Sequence, residues 1–258
     1  MEKPLILVVN DDGIFAKGIR NLIRIMNDFG DVVVVAPDTP QSGKSHAITI
    51  ADTIRCDKVI NHDEIQQEYS CSGTPVDCVK LAVNQILDRK PDLCVSGINH
   101  GSNSSINVIY SGTMSAAVEG ALEGIPSIGF SLLDYAHNAD FSEAEPYIRK
   151  ITQQVLDNGL DRGVCLNVNI PKSIQGKELK GFLVCRQANA NWEEEFEKRT
   201  DPKGHVYYWL TGKFVNYDSG ADTDEWALAN HYISVVPVQF DLTASSSLSS
   251  VKKLLLDE

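Results

Sequence analysis

The sequence predicts an α/β fold with a mostly parallel sheet flanked by helices. Two apolar runs, LILVV (5–9) and DVVVVAP (31–37), are typical of fully buried strands. The segment between them places Ile19, Leu22 and Met26 at helical spacing. A strand, a helix and a second strand in this order predict a right-handed βαβ unit, whose two parallel strands end at the same edge of the sheet.

The remaining elements of the core follow from similar patterns. Thr74 and Pro75 suit the N-cap and first position of a helix, Ser111 or Thr113 can cap a second, Ala-rich helix, and Gly124 can end it. The turn INHGSN is expected directly after the strand PDLCVSG. In chain order, we predict a helix at 74–87, a strand at 91–97, a helix at 110–124, a strand at 125–133, a helix at 147–158, and strands at 164–171 and 181–187.

The composition changes after residue 187. The segment 191–204 is strongly charged, whereas VYYWLTGKF (206–214) and HYISVVPVQF (231–240) favour β-hairpins over helices. We therefore predict two parts, an α/β core over residues 1–187 and a hairpin-rich C-terminal extension over residues 188–258.

Composition and charge exclude several classes of protein. The chain has 23 Lys and Arg against 35 Asp and Glu, a net charge of −12, so we expect neither a nucleic-acid polymer nor a membrane as partner. Its six cysteines include no C-x-x-C pair, which favours reduced thiols over a zinc ribbon or a disulfide framework. The apolar stretch at the N-terminus is too short for a secretory signal, and we expect a cytoplasmic protein.

Two neighbouring carboxylates, Asp11 and Asp12, follow the first strand. Like charges repel, and in a partly desolvated pocket they call for a cation. Ser42 follows the second strand and Asn99 follows PDLCVSG, so oxygen donors from three strand ends are expected at one sheet edge. Such donors suit Mg²⁺ or Mn²⁺ and would leave about two of six coordination positions open. The alternative for Asp11 and Asp12 is an Asx-turn with helix-capping carboxylates.

Three Ser-Gly steps lie in predicted turns, and two of them directly precede helices, where free N–H groups and the helix dipole favour phosphate. Lys44, beside the first step, can offset part of a phosphate's charge. Helix capping is the alternative role for the step at Ser111. Together with the metal site, these turns predict a pocket for a phosphate ester, with Gly43, Asn103, Ser111, Gly112 and Thr113 as the candidate phosphate-binding residues.

Three other sites are disfavoured. The stretch SGKS (42–45) lacks the first glycine of a P-loop, because Asp38 stands there. Asp57 lacks the buried apolar run expected before the phospho-acceptor of a receiver domain. His46 and His100 have no partners at zinc-binding spacing, and we interpret them as solvated loop residues.

The chain resembles the SurE family of stationary-phase survival proteins, and the resemblance covers nearly its whole length. It is carried by VVNDDG with AKGI (8–19), APDTPQSGKSHAIT (36–49), SGTPVDCVKLA (72–82), VSGINHGSN (95–103), YSGTMSAAVEGALEG (110–124) and DTDEWALANHYISVVPVQFDLT (222–243). One departure is Lys17, where the family often has proline.

The resemblance implies a Rossmann-like core and a C-terminal extension that forms a homodimer or homotetramer. It also implies one divalent cation per subunit, Mg²⁺ or Mn²⁺, held by the residues matching Asp11, Asp12, Ser42 and Asn99. Family members remove phosphate from nucleoside 5′- and 3′-monophosphates, and some also attack short polyphosphate.

The sequence thus favours metal-assisted hydrolysis of a phosphate ester, with Asp11 and Asp12 as catalytic residues. Which of the two carboxylates handles the proton of water is open, and covalent attack by Ser42 is disfavoured because no base accompanies it. Two alternatives are kept: a non-catalytic, metal-dependent nucleotide sensor, and a phosphatase of the haloacid dehalogenase type, for which Gly13 replaces the expected second acid.

Overall fold

The computed structural model describes residues 3–60, 65–136, 138–174 and 176–256. The strands of this part of the chain are β1 (Leu5–Val9), β2 (Asp31–Pro37), β3 (Cys56–Lys58), β4 (Gln67–Cys71), β5 (Leu93–His100), β6 (Ser127–Leu132), β7 (Val164–Ile170), β8 (Phe182–Val184), β9 (Ala190–Thr200), β10 (Val206–Asn216) and β11 (Ile233–Gln239). The α-helices are α1 (Lys17–Met26), α2 (Pro75–Leu81), α3 (Gly112–Leu122), α4 (Glu145–Asn158), α5 (Asp224–Ala229) and α6 (Leu248–Leu256).

The main sheet has the strand order β3-β4-β2-β1-β5-β6-β7-β11-β8. The six strands from β4 to β7 are parallel, whereas β3 and β11 run antiparallel to β4 and β7. The predicted mostly parallel α/β fold is therefore confirmed. The chain builds the sheet outward from β1 in one direction and then from β5 in the other, so the topological switch point lies between β1 and β5. Ligands of such sheets bind at the carboxyl ends of strands at a switch point.

Helices cover both faces of this sheet, which explains the uninterrupted apolar runs. Along β1, Ile6 and Val8 pack on the face of α1 and α4, whereas Leu7 and Val9 pack on the face of α2. Each of these side chains is fully buried and contributes about 1.5–3 kcal/mol by leaving water. The core thereby fixes the strand ends that carry the candidate site.

Two boundaries differ from the sequence prediction. The expected helix over 74–87 is α-helical only to Leu81, and a π-helical turn covers Ala82–Ile86. Strand β5 continues to His100, so Asn99 lies in the last residues of a strand and the predicted turn at Ile98 is wrong. The backbone of this polar stretch pairs with β6 after a register shift. The local sequence does not predict that pairing.

The strands of the C-terminal region pair in part differently from the prediction. Strands β9 and β10 form the expected hairpin, separate from the main sheet. The interpretation of 231–240 as a hairpin strand is wrong, because β11 pairs with β7 and β8 in the main sheet. Its residues Ile233–Val236 are all buried, as expected for a strand covered on both faces. The division of the chain at residue 187 stays a prediction.

Crossing a bilayer requires a helix that is both long and apolar. Within the described ranges, no helix combines these two properties.

Candidate metal and phosphate site

Asp11 and Asp12 lie where the chain turns sharply after β1. The Nδ2 of Asn10 donates to the carbonyl oxygen of Gly13 at 2.8 Å, and Gly13 adopts a φ of +100°, which favours glycine. The N–H of Gln41 donates to the carbonyl oxygen of Asp11 at 2.7 Å. The turn that both carboxylates need in order to face one ion is therefore present, and the segment after β2 is hydrogen-bonded to it.

Asp11 is buried against the N-terminus of α3. The hydroxyl of Thr113 donates to its Oδ1 at 2.5 Å, and a Cβ on Gly112 would lie only 2.7 Å from its Cβ. Burial and the charge of Asp12 raise the pKa of Asp11 to about 6, even though the Thr113 hydrogen bond lowers it. Among the described side chains, no Lys, Arg or His forms an ion pair with Asp11, although it is only 4% exposed.

Asp12 lies beside the end of β5, next to Asn99. Burial raises its pKa, and the backbone N–H of His100 and the imidazole charge offset part of that rise. The Nδ2 of Asn99 donates to the carbonyl oxygen of Gly101 at 3.1 Å, which orients the amide and leaves its Oδ1 as an acceptor. The neighbouring strands β1 and β5 thus place Asp12 against His100, the residue after Asn99, at the switch point.

Ser42 lies in an exposed turn after β2, next to Gln41, which contacts Asp11. The N–H of Lys44 closes this turn by donating to the carbonyl oxygen of Gln41 at 3.2 Å, and Gly43 has a φ of +72°. The hydroxyl of Ser42 makes no hydrogen bond within the described structure. It is therefore free to bind a ligand.

These side chains fit a hard divalent cation. They offer two carboxylates, an amide oxygen and a hydroxyl, all of which are oxygen donors. Within the described ranges, no three His, Cys, Asp or Glu side chains come together as a metal-binding group, so a zinc site of nitrogen and sulfur ligands has no support. A buried carboxylate pair without a cationic side chain is costly, and a bound cation would remove that cost.

The predicted phosphate turn forms the N-terminus of α3. Ser111 is the N-cap, and its Oγ accepts from the N–H of Met114 at 3.0 Å. This confirms helix capping, which the sequence analysis gave as the alternative to phosphate binding at Ser111. Thr113 donates to Asp11 through both its hydroxyl and its N–H. The N–H of Gly112 makes no backbone hydrogen bond and is one of the free donors that a helix N-terminus offers to an anion.

Asn103 belongs to a buried polar network. Its Nδ2 donates to Ser131 Oγ at 2.7 Å, its N–H donates to Asn169 Oδ1 at 2.7 Å, and its carbonyl oxygen accepts from Asn167 Nδ2 at 2.8 Å. These bonds fix the segment after β5 to β6 and β7. A contact between Asn103 and phosphate stays a prediction.

His46 is an exposed loop residue, as expected from the sequence, whereas His100 is half-buried at the end of β5. His46 Nε2 lies 2.9 Å from a carboxylate oxygen of Glu119, a buried residue that also accepts from Lys80 at 2.5 Å. The His100 ring packs edge-on against Phe141 with the ring centroids 5.3 Å apart. Both histidines are held by partners distant in sequence.

A second anchor holds the loop that carries Ser42. Asp77 accepts from the N–H of Thr49 at 3.0 Å and from its hydroxyl at 2.6 Å, while Thr74 donates to the carbonyl oxygen of Ala47 at 2.7 Å. Sequence analysis missed these anchoring roles. The pattern Thr74-x-x-Asp77 is a capping-box signature. It is the sequence feature from which a structural role of Asp77 could have been predicted.

Glu119→Gln should destabilise the fold at neutral pH by about 1 kcal/mol, because the ion pair with half-exposed Lys80 is lost and the hydrogen bond with half-exposed His46 is weakened. Burial opposes ionisation of Glu119, but its hydrogen bonds with His46 and Lys80 outweigh burial and lower its pKa below 4.5. This stabilisation is therefore complete above pH 4.5 and is lost as the pH falls through the lowered pKa.

Urea denaturation of both proteins at pH 7 and near pH 3 measures this effect. The difference in unfolding free energy should shrink in acid. Glu123→Gln is the matched control, because Glu123 lies one turn further along the chain and forms no ion pair within the described structure. Equal behaviour of Glu119→Gln and Glu123→Gln would contradict the prediction.

Comparison with known proteins yields one consistent set of relatives. The family model for survival protein SurE matches residues 6–194. A 5′-nucleotidase SurE from Christiangramia forsetii is 66% identical over 258 residues, which are 100% of this chain and 99% of the relative. One from Flavobacterium johnsoniae is 66% identical over 97% of this chain and 96% of its own. The crystal structure of the SurE protein from Aquifex aeolicus aligns with a TM-score of 0.82 at 39% identity, over 97% of this chain and 99% of that one.

Proposed function

The chain belongs to the survival protein SurE family, and we propose that it is a 5′-nucleotidase whose divalent cation is held by Asp11, Asp12, Ser42 and Asn99. The nucleotidase activity follows from the close relatives that carry this name across the whole chain. One observation supports the position of the site above others. Asp11 is buried beside Asp12 at the switch point of the sheet, and no Lys, Arg or His among the described residues forms an ion pair with it.

The bound cation would supply a Lewis acid for the phosphoryl oxygen and lower the pKa of a water molecule. The two carboxylates balance its double charge, so that a dianionic phosphate meets no net repulsion. Thr113 fixes Asp11 by two hydrogen bonds, whereas Asp12 is partly exposed, which suits a group that exchanges a proton with water.

The chain's own donors provide the remaining contacts in this proposal. Gly112, whose N–H is free, packs against Asp11 at the start of α3, and the turn at Ser42 and Gly43 approaches the same residue from β2. Backbone donors fixed in this way stabilise charge on the phosphoryl oxygens without reorganising during the reaction. Lys44 lies exposed on the same turn and adds a positive charge.

Release of inorganic phosphate tests the proposal. The purified protein is assayed with nucleoside 5′- and 3′-monophosphates and short polyphosphate, with Mg²⁺ or Mn²⁺ and after treatment with EDTA. We expect turnover of 5′-monophosphates that EDTA abolishes and either metal restores. Saturable nucleotide binding without release of phosphate would instead support the metal-dependent sensor, and a trapped phosphoaspartate would support the haloacid dehalogenase type of mechanism.

We also propose a homodimer or homotetramer built through the C-terminal extension. Four apolar side chains of α6, namely Leu248, Val251, Leu254 and Leu255, are 46–77% exposed on this chain. An apolar groove of about 820 Å³ lies between α3 and β11. A second copy of the chain would supply the complementary apolar surface that α6 lacks.

Leu255→Asp should therefore shift the protein toward monomer, because a carboxylate would have to be desolvated in the interface. Light scattering coupled to size-exclusion chromatography measures the mass. Lys252→Asp places the same charge on the same helix outside this set of apolar residues and should leave the oligomer intact. A monomeric wild type, or a loss of the oligomer in the control variant alone, would overturn this proposal.

The cytoplasmic location expected from the sequence is part of the proposal. All six cysteines are free thiols, and five of them are buried. Unpaired thiols are typical of a reducing compartment.

A further inference from the structure

Tyr135 is an exposed aromatic residue beside the candidate metal site. Its side chain is 77% exposed, although an apolar ring is ordinarily more stable out of water. One part of the ring covers the Cα of Gly101: a Cβ built there would lie 2.4 Å from Cε1 of Tyr135. The hydroxyl makes no hydrogen bond within the described structure. The ring therefore offers an uncovered π-face.

The backbone around Tyr135 is fixed by its neighbours. Asp134 accepts from the N–H of Ala136 at 3.0 Å and from Lys172 at 3.0 Å, and its carbonyl oxygen lies 3.3 Å from Nδ1 of His100. These contacts hold the residues on both sides of Tyr135 to the ends of β5 and β7. The backbone that carries the ring is thus fixed before a ligand binds, which reduces the conformational entropy lost on binding there.

Tyr135 is close to the reacting centre through one short chain of contacts. Its ring lies on Gly101, which is one residue from His100, whose N–H donates to Asp12. Adjacent Cα atoms are about 3.8 Å apart, so the ring lies within roughly two residue lengths of the carboxylate. A phosphate at Asp12 and an aromatic group attached to it through one sugar would reach this ring.

We propose that the ring of Tyr135 is the surface on which the base of a nucleoside monophosphate stacks. This inference rests on the nucleotidase function proposed above and adds the contact that distinguishes a nucleotide from other phosphate esters. Stacking requires only a π-face and no hydrogen-bond pattern, so this contact favours nucleotides in general over one particular base.

Phe15 is another exposed ring on this side of the molecule, at 73% exposure, and it serves as the comparison. It lines a groove that runs along α1 and also includes Ile60 and Ile65. That groove lies on the side of β3 and β4, whereas Tyr135 contacts Gly101 at the end of β5, one residue from the His100 N–H that donates to Asp12. The placement therefore favours Tyr135.

Steady-state kinetics with two substrates tests the inference. The substrates are AMP and ribose 5-phosphate, which carries the same phosphate and sugar but no base. For Tyr135→Ala we expect KM for AMP to rise about tenfold, with kcat changed by less than about twofold and ribose 5-phosphate unaffected. Tyr135→Phe retains the ring and should behave as the wild type.

Each result that would contradict the inference points to a different explanation. Equal losses of Tyr135→Ala on both substrates would assign the residue to general structure, and a base-dependent loss in Phe15→Ala alone would move the subsite to α1. An unchanged KM for AMP in Tyr135→Ala would also overturn the inference. If the proposed nucleotidase function is itself wrong, the wild-type protein will release phosphate from neither substrate.

Discussion

Asp11→Asn is expected to lower kcat/KM for nucleoside 5′-monophosphates by about a thousandfold or more. The substitution keeps the size of the side chain and removes one of the two charges that balance a divalent cation. A bound cation supplies several kcal/mol of transition-state stabilisation, and each 1.36 kcal/mol corresponds to a factor of ten in rate. The loss should therefore be far larger than that of any substitution outside the ligand set.

Calorimetric titration with Mn²⁺ separates loss of the metal from loss of chemistry. We expect no measurable Mn²⁺ binding by Asp11→Asn and saturable binding by the wild type. Asp157→Asn makes the same chemical change on α4, in an exposed residue whose described side-chain contact is a hydrogen bond from Gln153. It should match the wild type in both assays. Normal Mn²⁺ affinity and turnover in Asp11→Asn would refute the assignment of the site.

The substitution Asp11→Asn also changes the stability of the metal-free folded protein, which is measured separately. The apo wild type buries a carboxylate whose pKa is raised to about 6, and the neutral amide avoids that cost. The variant should therefore be at least as stable as the metal-free wild type in thermal unfolding. An inactive but stable variant excludes unfolding as the reason for the lost activity.

The positions of the candidate oxygen donors in the sheet could be predicted from the sequence. Asp11, Asp12 and Asn99 follow apolar runs, and parallel strands bring their carboxyl ends to one edge of the sheet, where the structure places them. This reasoning needs only local patterns and the handedness of βαβ units. Ser42 could be placed in the same way because it follows β2 by five residues.

The anchors of the 41–50 loop could not be predicted in this way. His46 and Glu119 are 73 residues apart, and Thr49 and Asp77 are 28 apart, so no local pattern links either pair. The same limit applies to β11, which pairs antiparallel with β7. The whole β9–β10 hairpin lies between these two strands in the sequence. Such contacts are decided by tertiary packing, which overrides local preferences.

Gly18→Ala is expected to destabilise the protein by about 2 kcal/mol and to weaken metal binding, although alanine is the better helix former. Gly18 lies in the first turn of α1, where exchange for alanine would by itself gain about 0.5–1 kcal/mol. However, a Cβ there would lie 1.9 Å from the carbonyl oxygen of Ile98, in β5. Overpacking that displaces backbone costs about 1–3 kcal/mol or more, so the clash outweighs the helical gain.

The displaced carbonyl belongs to the residue directly before Asn99, and for this reason Gly18→Ala should also weaken Mn²⁺ binding at a site that it does not touch. Chemical denaturation measures the stability, and calorimetric titration measures the affinity. Asn21→Ala also places an alanine in this helix, at a half-exposed position where only an exposed hydrogen bond to the carbonyl oxygen of Lys17 is lost, and should change the stability by no more than about 0.5 kcal/mol. If Gly18→Ala raised the stability as helix propensity alone predicts, α1 and β5 could not be packed as closely as the structure describes, and the position of Asn99 would have to be revised with them.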